Sequence, residues 1–214
     1  MAPKIWNQAR RALARLGMLQ SLTPIKRLVL LQRPSGLGSL GRDSVIHRPR
    51  TLWGRKNIRI GDRCLVMSNS LLQALSENYG KDIRPSICIG DDVYIGRYAY
   101  LVAAQNITIA DGCVLSEQVY ITDQNHGFDP RGGLIMEQNI ESKGPVKLGP
   151  NCFLGYRAAV MPGVTLGEWC IVGANSVVTH SFPAYSMIAG VPARLVKVYS
   201  HELRQWVSTS AVKQ

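Results

Sequence analysis

Aliphatic residues recur at every sixth position along most of this chain. The runs are Ile60, Val66, Leu72; Ile89, Ile95, Leu101; Ile109, Leu115, Ile121; Leu148, Leu154, Val160; and Leu166, Val172, Val178, the last two joining without a break. A small residue usually stands four places after the aliphatic one, as at Cys64, Ser70, Val93, Ala99, Cys113, Val119, Cys152, Ala158, Val164, Cys170 and Ser176. Glycine often follows it directly, as at Gly61, Gly90, Gly96, Gly149, Gly155, Gly167 and Gly173. A helix of about 3.6 residues per turn cannot keep such a repeat on one side, and a hairpin sheet alternates residue by residue. Three short strands per turn of a triangular coil fit it, with the aliphatic side chain pointing inward and small residues at the corners. Coils of 18 residues would stack into one continuous core. The pattern therefore predicts an all-β solenoid of about five to six coils.

Breaks in the period mark what leaves the coil. Relative to one coil of 18, the gaps from Ile60 to Ile89 and from Ile109 to Leu148 are 11 and 21 residues too long. These predict two excursion loops, at about residues 73–85 and 127–144, the second with a turn signal at Asp129-Pro130-Arg131-Gly132-Gly133. Long loops on a rigid scaffold are common seats of function. The solenoid is expected over 44–198. A tail at 199–214, with Leu203, Trp206 and Val207 at helical spacing, predicts a C-terminal helix that caps the core.

Composition sharpens the picture at the N-terminus. The chain has 214 residues, 46% hydrophobic and 18% charged, with a net charge of +11, which is enough apolar material for a folded domain. Residues 1–50 hold ten Lys or Arg and one acid, so most of the charge sits in a basic arm at 1–43. Ile5, Ala9, Ala12, Leu13 and Leu16 fall at helical spacing there, with Lys4, Arg11 and Arg15 on another face. Such a helix suits an anionic membrane surface or packing on its own protein. Nothing elsewhere has the aromatic-interleaved basic pattern of a nucleic-acid binder. Leu28-Val29-Leu30-Leu31 is too short to span a bilayer, and no signal peptide is visible, so a cytoplasmic protein is expected. The five cysteines form no Cys-x-x-Cys pair. Four lie on the small inward phase, where cysteine packs as a small hydrophobe.

Three segments carry a family resemblance. They are Ile121-Thr-Asp-Gln-Asn-His-Gly-Phe128, Met161-Pro-Gly-Val-Thr-Leu-Gly167, and Gly173-Ala-Asn-Ser-Val-Val-Thr179 with Ala189-Gly-Val-Pro-Ala-Arg194. Together with the repeat, they resemble the hexapeptide-repeat acyltransferases, above all the bacterial sugar O-acetyltransferases of surface-polysaccharide pathways. The resemblance implies a left-handed parallel β-helix, a homotrimer with sites between the β-helices of neighbouring subunits, and acetyl-CoA as cosubstrate without a metal. It implies that His126 is the general base for the acceptor hydroxyl, as suits a side chain that is neutral near pH 7. Asp123 and Glu117 are candidates to orient His126 or to hold the sugar, or are solvated carboxylates. Asn125 falls on the small inward phase and would brace the corner or touch substrate. For coenzyme A the resemblance implies an aromatic wall at Phe153, backbone approach at Gly155, Ala174 and Thr179, and phosphate partners in Arg194 and Lys197. Tyr156 stands where relatives carry a small residue.

Two rivals remain beside O-acetylation. One is N-acetylation of an amino-sugar nucleotide. The other is a trimeric scaffold, without catalysis, in a glycan-assembly complex. A β-helical carbonic anhydrase would need converging histidine ligands for zinc, and no His-x4-His pair is present.

Overall fold

The computed structural model describes residues 34–74 and 85–209. The expected basic helix, most of the first excursion and the last few tail residues lie outside them. The first coil is β1 (Ser39–Leu40), β2 (Val45–Ile46) and β3 (Thr51–Trp53). The second is β4 (Ile58–Ile60), β5 (Leu65–Val66) and β6 (Leu71–Ala74), and the third β7 (Ser86–Ile89), β8 (Tyr94–Ile95) and β9 (Tyr100–Ala103). The fourth is β10 (Asn106–Ile109), β11 (Val114–Leu115) and β12 (Tyr120–Thr122). A ribbon of β13 (Asn125–His126) and β14 (Ile140–Glu141) follows. Coil five is β15 (Val146–Leu148), β16 (Phe153–Leu154) and β17 (Ala159–Val160), and coil six β18 (Thr165–Leu166), β19 (Ile171–Val172) and β20 (Val177–Val178). The chain closes with β21 (Ser186–Gly190), β22 (Ala193–Ser200) and β23 (Gln205–Ser208).

Strands stack by position in the coil. Sheet A holds the first strand of each of the six coils, sheet B the second and sheet C the third, all in parallel register. The fold is the expected left-handed β-helix. Every aliphatic position of the ruler is buried, as is every small position named with it. The coil also starts earlier than expected, because Leu40, Ile46 and Leu52 continue the ruler by one turn within β1–β3. A two-residue surplus between Leu52 and Ile60, taken up by a 3₁₀ turn at Arg55–Asn57, had hidden that turn.

The three corners differ. At the A–B and B–C corners the chain turns through residues in the left-handed region, among them Arg63 (φ 57°), Tyr98 (φ 57°), Arg157 (φ 56°) and Trp169 (φ 55°). Each such residue other than glycine costs about 1 kcal/mol, offset by amide bonds to the neighbouring coil such as Gly61 N–H to the Ile89 carbonyl at 2.8 Å. Every insertion into the six-residue ruler falls on the C–A corner: the 3₁₀ turn, both excursions and the two extra residues near Ala104. Four thiols line the inside of the A–B corner. Those of Cys64, Cys113, Cys152 and Cys170 each donate to a carbonyl of the next turn, at 2.9–3.2 Å. Burial raises the Cys64 thiol to about 11 and thiol contacts carry Cys152 to about 12, while the contact with Cys152 lowers Cys113; all four are buried, so these groups pack as small core fillers.

The tail corrects an expectation. Residues 199–208 are not a helix. They form the outer part of an antiparallel hairpin, with β21 pairing β22 and β22 pairing β23. The edge of β21 offers unpaired amides, and the valines at 196, 198 and 207 favour a pleated surface over a helix. Tyr199 then meets Trp206 edge-on at 5.5 Å and His201 at 5.3 Å.

Candidate active site

His126 stands at the root of the long excursion, on the C–A corner of the fourth coil. The chain leaves β12 at Thr122, bends at Asp123 and runs out along β13. Asn125 therefore does not enter the coil as its phase predicted. It pairs with Glu141 across the ribbon, while His126 stands opposite Ile140. The excursion is held from inside by Gln138, whose Oε1 accepts from the Asp129 amide at 2.9 Å and whose Nε2 donates to the Asp129 carbonyl at 3.0 Å. Ser142 Oγ donates to the Asp123 carbonyl. The Gly163 amide donates to the Gly144 carbonyl at 2.9 Å, which ties the ribbon to coil five. Phe128, Leu134, Ile135 and Met136 are exposed at the tip.

Asp123 has another task than the expected one. It is fully buried, and its two carboxylate oxygens accept the amides of Ala104 at 2.7 Å and Gln105 at 2.9 Å, across the turn of coil three. Burial raises its proton affinity and those amide bonds oppose the rise. Its oxygens are thus committed to backbone. Glu117 lies at the B–C corner, at the other end of β12 from His126, with its carbonyl accepting the Arg157 amide at 3.0 Å. Neither carboxylate is brought to the imidazole.

The residues expected around coenzyme A divide in two groups. Phe153 pairs with Ile171, Ile171 with Met187 and Met187 with Lys197, so these four form a row up the outer face of sheet B. Arg194 pairs with Ala189, two residues along β21 from Met187, and so shares that face with Lys197. The register shift between Met187 and Ile188 is what aligns the two cations. Gly155 and Ala174 sit on the adjoining B–C corner. A Cβ on Gly155 would come within 2.7 Å of the Ala174 amide nitrogen, so coil stacking already requires glycine there. Tyr156 is exposed beside it. Thr179 is elsewhere, on the C–A corner after β20, its Oγ1 3.4 Å from His180 Nδ1. It shares that corner with His126, two coils away. Within one chain, sheet C separates the His126 corner from the Phe153–Lys197 patch.

Sequence reasoning missed Gln124. Its Oε1 and His126 Nδ1 are buried without a hydrogen-bond partner among the described residues. Only the position of Gln124 two residues before a suspected base could have singled it out. No group of three or more His, Cys, Asp or Glu among the described residues converges as a metal site.

Known proteins share the sequence and the coil. A family model, the hexapeptide repeat of succinyl-transferase, matches residues 145–180. WbbJ of Escherichia coli strain K12, named for O-acetyl transfer in lipopolysaccharide biosynthesis, is 34% identical over 129 residues, which cover 58% of this chain and 66% of that protein. The match thus spans just under two thirds of WbbJ. Among solved structures, the N-acyltransferase AntD of Bacillus cereus, in complex with dTDP and coenzyme A, superposes with a TM-score of 0.67 at 21% identity, covering 78% of this chain and 88% of that one. A maltose O-acetyltransferase of Clostridium difficile 630 superposes with a TM-score of 0.52 at 25% identity, covering 92% and 90%. The six-residue repeat, the coil it builds and these relatives make the chain similar in sequence and fold to the hexapeptide-repeat acyltransferases of left-handed β-helix architecture.

Proposed function

We propose that this chain transfers acetyl from acetyl-CoA to a sugar hydroxyl, with His126 as general base. The carrying observation is the placement of His126, a partly buried imidazole at the root of the long excursion. A neutral ring nitrogen there takes the proton of the acceptor hydroxyl as its oxygen bonds to the thioester carbonyl carbon. Collapse then breaks the carbon–sulfur bond, and the imidazolium returns the proton to the leaving thiolate. Phe153 with Arg194 and Lys197 supplies an aromatic wall and two cations for a nucleotide bearing phosphates. The names of WbbJ and the maltose enzyme support a sugar acceptor in surface-glycan synthesis. Such use fits the cytoplasm, with the basic arm available to an anionic membrane surface.

A homotrimer completes the reading. The outer face of sheet A carries Ser39, Arg59, Cys88, Thr108, Lys147 and Thr165, polar at all but Cys88, as a solvated face would be. That of sheet B carries Val45, Leu65, Tyr94, Val114, Phe153 and Ile171, and sheet C adds Thr51, Leu71, Tyr100, Tyr120, Ala159 and Val177. Two apolar faces of three suit coils packed side by side. Packing of that kind brings His126 of one subunit to the Phe153 row of the next.

N-acylation of an amino-sugar nucleotide is the second reading. AntD shares the fold and holds coenzyme A and dTDP. Thiol release from acetyl-CoA, measured with matched panels of hydroxyl and amino sugars and their nucleotide conjugates, separates the two. Release that needs a hydroxyl acceptor and is lost in His126→Ala, with the assembly intact, is the expected result. Release only with amines selects the second reading. No release and no coenzyme A binding leaves a scaffold.

A further inference from the structure

We propose that Gln124 is the positioning residue for His126, accepting the Nδ1 hydrogen through its amide oxygen so that the Nε2 lone pair faces the acceptor. The inference rests on the reading of His126 as the base. Three observations carry it.

The first is an elimination. An imidazole that acts as a base keeps one nitrogen unprotonated, and a hydrogen bond at the other nitrogen fixes which one. The carboxylates nearest in sequence do not serve. Asp123 spends both oxygens on the amides of Ala104 and Gln105, and Glu117 lies across sheet C. On the facing strand, Glu141 stands opposite Asn125, on the other side of the ribbon from His126, and the residue opposite His126 is Ile140.

The second is a matched pair of unsatisfied atoms. Gln124 Oε1 and His126 Nδ1 are the buried side-chain nitrogen and oxygen atoms without a partner among the described residues. A buried polar atom left unpaired is costly. One of these is an obligate acceptor. The other is a donor in one tautomer of the neutral ring. Each supplies what the other lacks.

The third is reach. Gln124 immediately precedes β13, and two residues along the chain rise at most about 6.8 Å. A glutamine and a histidine side chain directed toward each other span that gap, and rotation about the Gln124 side-chain torsions closes it.

The chemistry follows from the group's neutrality. A carboxylate at this place would favour the imidazolium and so hold the base protonated to higher pH. An amide oxygen fixes the tautomer without adding a charge.

The test is nitrogen-15 NMR of the imidazole in the full chain, with steady-state kinetics of the same samples. In the wild type the Nδ1–H tautomer is expected. In Gln124→Leu the two tautomers mix, kcat falls about tenfold or more while the KM for acetyl-CoA stays within about twofold. In Gln124→Glu the Nδ1–H tautomer persists and the acid limb of the pH–rate profile moves to higher pH by about one unit. The Glu variant decides the matter if the Leu variant does not fold. A wild-type ring in the Nε2–H form, or a Gln124→Glu profile that overlays the wild type, overturns the proposal. Full turnover in His126→Ala would instead remove the base itself, and the tautomer measurement would still report whether the two side chains pair.

Discussion

Removing the carboxylate of Asp123 strands two buried amides, those of Ala104 and Gln105. Each stranded donor costs about 1–3 kcal/mol, so Asp123→Ala should lower the melting temperature markedly, while Asp123→Asn, which keeps one acceptor, should lower it less. Differential scanning calorimetry of the pair checks this. A role confined to substrate would leave both melting temperatures alone. None of this was legible in the sequence, because the atoms Asp123 serves lie in the previous coil. His47 offers a second residue-scale outcome. Burial, then the nearby Arg48 and Arg97, lower its proton affinity below the ordinary value of 6.5. The unfolded chain therefore binds the proton more readily than the folded one, and stability falls as pH drops from about 6.5 through the folded value. His47→Asn should flatten the dependence of melting temperature on pH between about 7.5 and 5. An unchanged slope would assign that dependence to other groups.

At the scale of elements, the strands were legible and the departures from them were not. The inward ladder repeats, so every rung confirms the next, and Ile95, Leu115 and Leu154 could be assigned before any contact was known. An excursion has no such redundancy. Its length showed that the chain leaves the coil, yet not that Asn125 and His126 continue as a strand against β14. The tail misled for a related reason. Leu203, Trp206 and Val207 have helical spacing, but an open edge on β21 outweighed it. Within the ribbon, Gln138 is the internal brace, with bonds to the Asp129 amide and carbonyl and to the Gly133 carbonyl. Gln138→Ala should therefore speed amide hydrogen exchange over residues 128–137 and leave that of β15–β20 unchanged. Equal protection in both proteins would show that the tip is held by other contacts.

For the molecule as a whole, the candidate site is split. His126 and Thr179 lie on one corner, the Phe153–Lys197 row lies on the outer face of sheet B, and sheet C lies between them. The sequence named these residues without dividing them between faces, because position along a chain does not by itself say which face a residue occupies. The split gives a direct test of the proposed trimer. His126→Ala and a double substitution, Arg194→Ala with Lys197→Ala, should each be inactive alone. Unfolded together and refolded as mixed assemblies, they should regain a measurable share of wild-type turnover, since some interfaces then pair an intact base with an intact cation patch. No recovery from mixed assemblies shown by mass spectrometry to have formed would place the whole site within one chain.

The antiparallel turn at the end of the coil has a further consequence. A stack of parallel rungs is a template. Its last rung presents the same row of amides and carbonyls that each earlier rung used to recruit its successor, and another molecule's first rung would fit. By running β22 backward along β21 and folding β23 back along β22, the described residues end sheet B on a four-residue strand, Gln205–Ser208, that belongs to no 18-residue coil, so an incoming coil meets a short edge instead of a full rung. The hairpin thus acts as a chain terminator in the polymer sense, setting the number of rungs and keeping a finite particle from becoming a filament. A protein truncated after Gly190 should lengthen end to end, with light scattering that rises with concentration and time, while the full chain stays at one size.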